Sequence, residues 1–338
     1  MEAVVKTEVI PTQEQTLRTR VREILGVDVI RSYQAFDWSY TFRDTAFIYF
    51  LLFGTVALAI WLHATLGPGA LLLTPMLAIL TGVAFNWINV QIHEASHHFL
   101  LTEKKWNDIY CNIVLGAWAL QDVETYRASH GMHHRYLHSD RDPDLWIYTT
   151  QVGSLRQVLL GIVHDLTLQT VLRRRRQIEA FMATNDLSGQ VPAYAQVGKV
   201  LAQACVVAVF VYSCGLWGLA YYAGVYLYGL LGVFPVLVRI RTVVQHHDDA
   251  VVDPSESSSA IFVSRTTVAP VLEFLLIGAR MDYHFEHHLF PTLPYYGLRR
   301  MHQALDKAGF FNPEPAANNG ALRTDNYFKS YRQLVAQR

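Results

Sequence analysis

Cysteine is scarce in this 338-residue chain: Cys111, Cys205 and Cys214 are an odd number without CxxC spacing. That argues against a disulfide framework, a cysteine metal site and the four-cysteine set of an iron–sulfur cluster. Net charge is missing too, with 28 basic residues against 28 acidic ones, so no basic excess points to a nucleic-acid partner. Charged residues make up only 17% while hydrophobic ones reach 51%. The mean hydropathy of +0.16 is apolar for a soluble protein and polar for a compact transporter. A body that is part membrane and part cytosol fits both figures.

Two windows are emptier of charge than the rest. From Ala46 to Glu103 there is no lysine or arginine, and from Val200 to Val238 no charged residue at all. The first holds an apolar run from Phe47 to Leu66, about 20 residues, enough for roughly 30 Å of hydrocarbon. After Gly67-Pro68-Gly69 a second run continues from Ala70 to Ile92. The second window predicts another hairpin, outward from Val200 to Tyr222, turning near Ala223 and Gly224, and back through Val225 to Val238, with Pro235 placed to kink its last turns. With uncharged tips and basic flanks, the positive-inside rule places segments 1–46, 93–199 and 245–338 in the cytoplasm and leaves 47–92 and 200–244 as transmembrane hairpins. Trp61, Trp217, Tyr221 and Tyr222 suit an interfacial belt on the other side. The bacterial inner membrane and the endoplasmic reticulum fit this pattern equally.

Met1 to Ile10 lacks the apolar core and cleavage site of a secretory signal. Thr12 and Gln15 have capping-box spacing ahead of an amphipathic helix with Leu17, Val21, Ile24 and Leu25 on one face. Ile113–Leu120 and Val268–Ala279 are too short to span and belong to the cytosolic body or the interface. Arg173–Arg176 is the densest charge run; it reads first as an anchor near lipid head groups and second as a dock for an acidic electron carrier. After Phe311, residues such as Asn312, Pro313, Pro315 and Gly320 predict a loop before a last polar helix.

Histidine is what the chain has in excess. Its 15 histidines concentrate in His93-Glu94-Ala95-Ser96-His97-His98, His130-Gly131-Met132-His133-His134 and His284-Phe285-Glu286-His287-His288. Residues four apart share a helical face, and so do residues at i, i+3 and i+4, so each cluster can aim its imidazoles at one point. A lone histidine is more often a satisfied polar side chain than a ligand. Three such clusters on one side of a membrane offer more imidazoles than a four-coordinate zinc can use, which implies two metal ions. Iron suits an imidazole-rich site that works with O₂, because zinc does not change redox state. The fold expected is an all-α integral membrane protein, four transmembrane helices in two hairpins with a cytosolic helical cap holding a dimetal site.

Here the sequence resembles the membrane fatty acid desaturases and hydroxylases, whose boxes read HxxxH, HxxHH and HxxHH. The contexts match as well: His134-Arg135-Tyr136 followed by Asp142-Pro143-Asp144, and Tyr283 to Pro291 followed by Pro294-Tyr295-Tyr296. The likeness covers roughly 47–305. It implies a nine-histidine cage around two irons, with a ninth ligand after the fourth span, and His246 matches that position. Carried over residue by residue, the ligands are His93, His97, His130, His133, His134, His246, His284, His287 and His288. His98 and His247 are the alternatives within their doublets. Glu94, Asp142, Asp144, Asp248, Asp282 and Glu286 are placed to orient imidazoles through their second N–H. His138 and His302 read as structural or supporting, and His63 and His164 as out of reach of the metals.

An unactivated methylene has no acidic proton and no leaving group, so side-chain acid–base chemistry does not cleave it; a redox metal and O₂ are needed. The resemblance implies a lipid-like acyl substrate, membrane lipids as surroundings, and electrons from a ferredoxin, rubredoxin or cytochrome with its reductase. Desaturation leads, with hydroxylation and oxidative decarboxylation as alternatives. His93-Glu94-Ala95-Ser96-His97 is also an HExxH zinc-protease motif, but that reading leaves the other two clusters unexplained. A metal transporter would place ligands inside its spans and near both faces.

Overall fold

A computed structural model describes residues 13–150, 154–184, 191–246, 264–311, 323–324 and 326–336. Most of them are helical. Helices α1 (Gln13–Leu25) and α2 (Val27–Tyr33) lead into α3 (Trp38–Leu66), and a 3₁₀ turn, Gly67–Leu73, reverses the chain into α4 (Thr74–Ser96). Asp37 starts α3 by accepting the Ser39 N–H (2.9 Å), so the helix begins well before the apolar run at Phe47. Gly67 takes φ +60°, a conformation that costs glycine little.

Next come α5 (Lys104–Tyr110), a π-helical turn Cys111–Gly116, α6 (Val123–Tyr136), α7 (Leu145–Thr149), α8 (Leu155–Leu166), α9 (Gln169–Thr184) and α10 (Ala193–Cys214). Among the described residues three stretches are long and apolar enough to cross a membrane: Val27–Ser96, Ala193–Cys214 and Trp217–His246. The first is itself broken at Gly67–Leu73 into α3 and α4.

The second reversal lies elsewhere than the sequence predicts. α10 stops at Gly215, φ +60°, and the chain resumes as α11 (Trp217–Tyr221). The turn is therefore at Gly215–Leu216, not near Ala223 and Gly224. Gly218 makes it possible, since a Cβ there would stand 2.3 Å from the Phe210 carbonyl oxygen. Ala223 and Gly224 fall inside a π-helical turn, Tyr222–Leu227, where Gly224 lets the chain approach Thr74. A further π turn, Gly229–Val233, runs without a break into α12 (Phe234–His246), so Pro235 lies inside a continuous helical stretch, just after a widened turn. Apolarity is continuous from α10 to α12, which is why hydropathy alone misplaced the turn.

The remaining elements are β1 (Thr266–Thr267), α13 (Val271–Glu273) followed by a π turn Phe274–Gly278, α14 (His284–Leu289), α15 (Tyr295–Lys307), β2 (Arg323–Thr324), which pairs in parallel with β1, and α16 (Tyr327–Ala336). The largest core joins α3, α4 and the α10–α12 region. A second core packs Leu17 and Val21 of α1 against Phe285, Leu289, Leu298 and Met301, so the N-terminal helix buttresses the third histidine cluster. α16, expected to be polar, buries Tyr327 fully; its hydroxyl donates to Asp282 (3.1 Å).

The segment Val271–Gly278 is tied to the apolar helices through its own carbonyls. Trp87 Nε1 donates to Leu275 O (2.8 Å), Asn86 Nδ2 to Ile277 O (3.0 Å), and Arg241 reaches the same oxygen (3.3 Å). α8 is held by a buried two-point ion pair, Arg239 of α12 donating to Asp165 at 2.7 and 2.9 Å. Its opposite face exposes Leu155, Leu159, Leu160 and Val163.

Candidate metal centre

The first cluster sits where α4 ends. His98 takes φ +64°, with Phe99 N–H donating to Glu94 O and His98 N–H to Ala95 O, both 3.0 Å, a left-handed helix termination. That phase turns His97 inward and His98 outward, where Nδ1 of His98 lies 3.7 Å from Asp108. Arg127 clasps this end: its guanidinium donates to Ser96 O (3.0 Å) and Ala95 O (3.1 Å), carbonyls a helix terminus leaves unpaired, and pairs with Asp108 (2.6 Å). The second cluster lies on α6, capped by Asp122, which accepts the Thr125 N–H (2.8 Å). The third occupies α14, and His246 is the last residue of α12.

Four chain regions thereby deliver two groups of imidazoles. His93, His97, His130, His134 and His287 form one; His133, His246, His284 and His288 form the other; within each, the offered nitrogens lie within 4.8 Å of one another. Nε2 of His134 stands 2.9 Å from Nε2 of both His130 and His287, and Nε2 of His284 stands 2.7 Å from that of His246. His133 Nδ1–H donates to Asp142 Oδ1 (2.9 Å) and His93 Nδ1–H to Glu94 Oε1 (3.1 Å), because a carboxylate oxygen can only accept. A neutral ring that gives its proton this way presents a bare lone pair at Nε2. His97 Nε2 is buried with no hydrogen-bond partner among the described residues. Lone pairs crowded so closely repel unless a cation lies among them, so the donor set fits a metal ion in each group.

Electrostatics keeps the rings ready. Burial first, and then the charge each ring would place beside its neighbours, holds His130, His134, His287 and His288 well below the ordinary imidazole value. His284 is likewise held well below it, and burial takes His97 down to about 4. His133 goes the other way: burial pulls it down, but the Asp142 carboxylate outweighs that and raises it. The rings held low are thus neutral donors at pH 7.

The carboxylates divide. Glu94 and Asp142 contact ligand-group imidazoles, and Glu94 also accepts the Tyr295 N–H (3.1 Å). Glu286 instead accepts from His302 Nδ1–H and the Thr266 hydroxyl. Asp282 bonds Tyr327, and Asp144 lies 3.6 Å from Arg174. His247 and Asp248 lie outside the described residues. His138 packs its ring 5.5 Å from Tyr148, and His63 meets the Tyr221 hydroxyl (3.3 Å) far from both groups. Sequence reasoning missed Tyr148, which is fully buried, donates to Asp142 and lies 5.2 Å from the His246 ring. It also missed Arg127, which carries no spacing signal.

Residues 67–311 match the fatty acid desaturase family model. The chain belongs to the fatty acid desaturase family. All nine clustered histidines fall inside the matched region. Among curated proteins, the dihydrorhizobitoxine desaturase of Bradyrhizobium elkanii is 24% identical over 280 residues, 77% of this chain and 72% of that one. Family membership together with the apolar helical stretches makes this a membrane protein with a desaturase-like oxidative function.

Proposed function

We propose that this chain is an O₂-dependent diiron desaturase that introduces a double bond into a fatty-acyl or similar lipid-like chain, using electrons from an external carrier. The observation that carries the reading is the convergence of nine imidazoles into two adjoining groups. His93, His97, His130, His134 and His287 would hold one iron, and His133, His246, His284 and His288 the other. When bound, the iron pair would supply the O₂-driven oxidation of a C–H bond that no side chain can attack. The protein's own residues orient and enclose. Asp142 and Glu94 fix His133 and His93 through their Nδ1–H groups, and the burial of the imidazoles keeps bulk water from the reaction. α3, α4, α10 and the α11–α12 stretch would form four membrane crossings in two hairpins, with the histidine clusters in a cap on the cytoplasmic face.

Desaturation stands ahead of hydroxylation and decarboxylation because the curated relative is itself named a desaturase. The zinc-protease reading loses ground at Glu94, whose two oxygens are engaged by His93 and the Tyr295 N–H, leaving no free carboxylate to act as general base. The test is iron analysis of purified protein with mass spectrometry of lipids from expressing cells. Two irons per chain and products lighter by two hydrogens are expected. Products heavier by one oxygen, or terminal alkenes one carbon shorter, would move the assignment to hydroxylase or decarboxylase, and a single bound zinc would end it.

A further inference from the structure

Behind His133 the protein surface is indented. A depression of about 500 Å³ is lined by Asp140, Arg141, Asp142 and Asp144, by Trp146 of α7 and by Arg174 of α9. Asp142 belongs to both places: it lies in the wall of the depression, and its Oδ1 accepts the His133 Nδ1–H. The two nitrogens of an imidazole sit on opposite edges of the ring, so the Nε2 that faces the other imidazoles points away from the indentation. A substrate seated there would lie behind a ligand, shielded from the reacting centre. An electron needs no open path. It tunnels at a rate that falls steeply with distance, and here Asp142, a lining residue whose side chain is wholly buried, contacts His133 of the four-histidine group directly.

The lining itself holds three carboxylates and two arginines, but around it arginines are in excess. Arg173, Arg174, Arg175 and Arg176 follow one another on α9, which has no buried residue, and Arg135 and Arg141 flank the Tyr136 ring. Against these stand Asp140, Asp142 and Asp144 in the lining and Glu179, which pairs with Arg175 (2.8 Å). Arg173 covers Trp146 at 4.8 Å and Arg174 lies 3.6 Å from Asp144, which ties α9 to the segment carrying Asp142. The Arg175 side chain is 76% exposed. Arg174 lines the indentation and Arg173 folds back over Trp146 beside it, so the basic run borders the indentation, and its charge complements an acidic protein surface.

We propose that this indented cationic face is the docking site of a small acidic one-electron carrier protein, whose electrons enter through Asp142 and His133 at the four-histidine group. The proposal rests on the desaturase reading, which requires a reductant: –CH₂–CH₂– + O₂ + 2 e⁻ + 2 H⁺ → –CH=CH– + 2 H₂O. Two dockings per turnover follow, each oxidising the carrier by one electron, which a metal pair held by these histidines would take up when bound.

The probe is a plant-type [2Fe–2S] ferredoxin, offered to the full iron-loaded chain in neutral-lipid nanodiscs. Equilibrium binding of the oxidised ferredoxin is expected at about 20 mM salt and should weaken roughly 10-fold by about 200 mM, as the Debye length shrinks. The double variant Arg175→Glu/Arg176→Glu should weaken low-salt binding by about 10-fold or more and slow reduction by ferredoxin in parallel. Its iron content and its reduction by dithionite should match the unaltered protein. Absence of low-salt binding, or binding indifferent to the double variant, overturns the proposal. So does a variant that loses affinity for anionic vesicles while keeping it for ferredoxin, which would assign the arginines to lipid head groups. Failure of the desaturase reading shows differently, as protein without iron or turnover without a desaturated product.

Discussion

Replacing Asp142 by asparagine should weaken one metal position and spare the other. Asp142 accepts four hydrogen bonds: at Oδ1 from His133 Nδ1–H and Asp144 N–H, both 2.9 Å, and at Oδ2 from the Tyr148 hydroxyl and His138 N–H (3.1 Å). An asparagine has one accepting oxygen and an NH₂ that only donates. Whichever way its amide turns, the NH₂ faces a backbone N–H that cannot rotate away, either that of His138 or that of Asp144. A buried donor left unpaired costs about 1–3 kcal/mol. Loss of an orienting carboxylate behind a ligand typically lowers metal affinity about 10–100-fold, or roughly 1.4–2.7 kcal/mol. Because His133 belongs to the four-histidine group alone, titration of metal-free Asp142→Asn with cobalt(II), followed by its ligand-field absorption, should show one site weakened about 10–100-fold and one unchanged. Glu94→Gln acts through His93 and should weaken the five-histidine group instead. Equal loss at both sites in either variant, with unchanged circular dichroism, would refute the division into two groups.

His246→Ala should lower bound iron and abolish turnover while leaving membrane insertion intact; full activity would remove His246 from the centre. Asp165→Asn breaks the buried pair with Arg239 and should cost about 3–5 kcal/mol, read as earlier loss of helicity on heating, whereas an unchanged midpoint would mean that the pair does not pin α8. Gly218→Ala puts a methyl 2.3 Å from the Phe210 carbonyl and should reduce the yield of folded protein on size exclusion; normal yield would show that the turn can open. Metal-free protein should lose stability as pH falls. Its buried imidazoles have folded values below those of the unfolded chain, so the unfolded state takes up protons the native state refuses; stability is whole above about 6.5 and declines below it. Equal melting temperatures at about pH 7.5 and 5.5 would contradict this.

Much of the centre was legible from spacing, since i, i+3 and i+4 on a helix share a face whatever surrounds them. The choice between His97 and His98 was not. It depends on where α4 stops, and that end is set by a left-handed backbone at His98 and by Arg127 reaching across from α6. Glu286 looked like a partner for a neighbouring ligand but turns to His302, because Thr266 and His302 lie on elements far along the chain. The second reversal was misplaced for a related reason: Gly215 carries the positive φ inside an unbroken apolar run, where hydropathy cannot distinguish a corner from a helix. Asn86 and Arg241 also ran against the apolar pattern. Their positions follow from the carbonyls of Leu276 and Ile277 that they satisfy, a long-range need invisible in local sequence.

Helix α14 is only six residues long, too short to persist without its neighbours. Both imidazole groups nonetheless depend on it, the first through His287 and the second through His284 and His288. During synthesis neither group can close until the last of the three clusters has left the ribosome and docked under the apolar helices. Metal loading is therefore a late event in the life of each molecule, and a chain interrupted before His284 would carry incomplete cages open to whatever divalent ion is at hand.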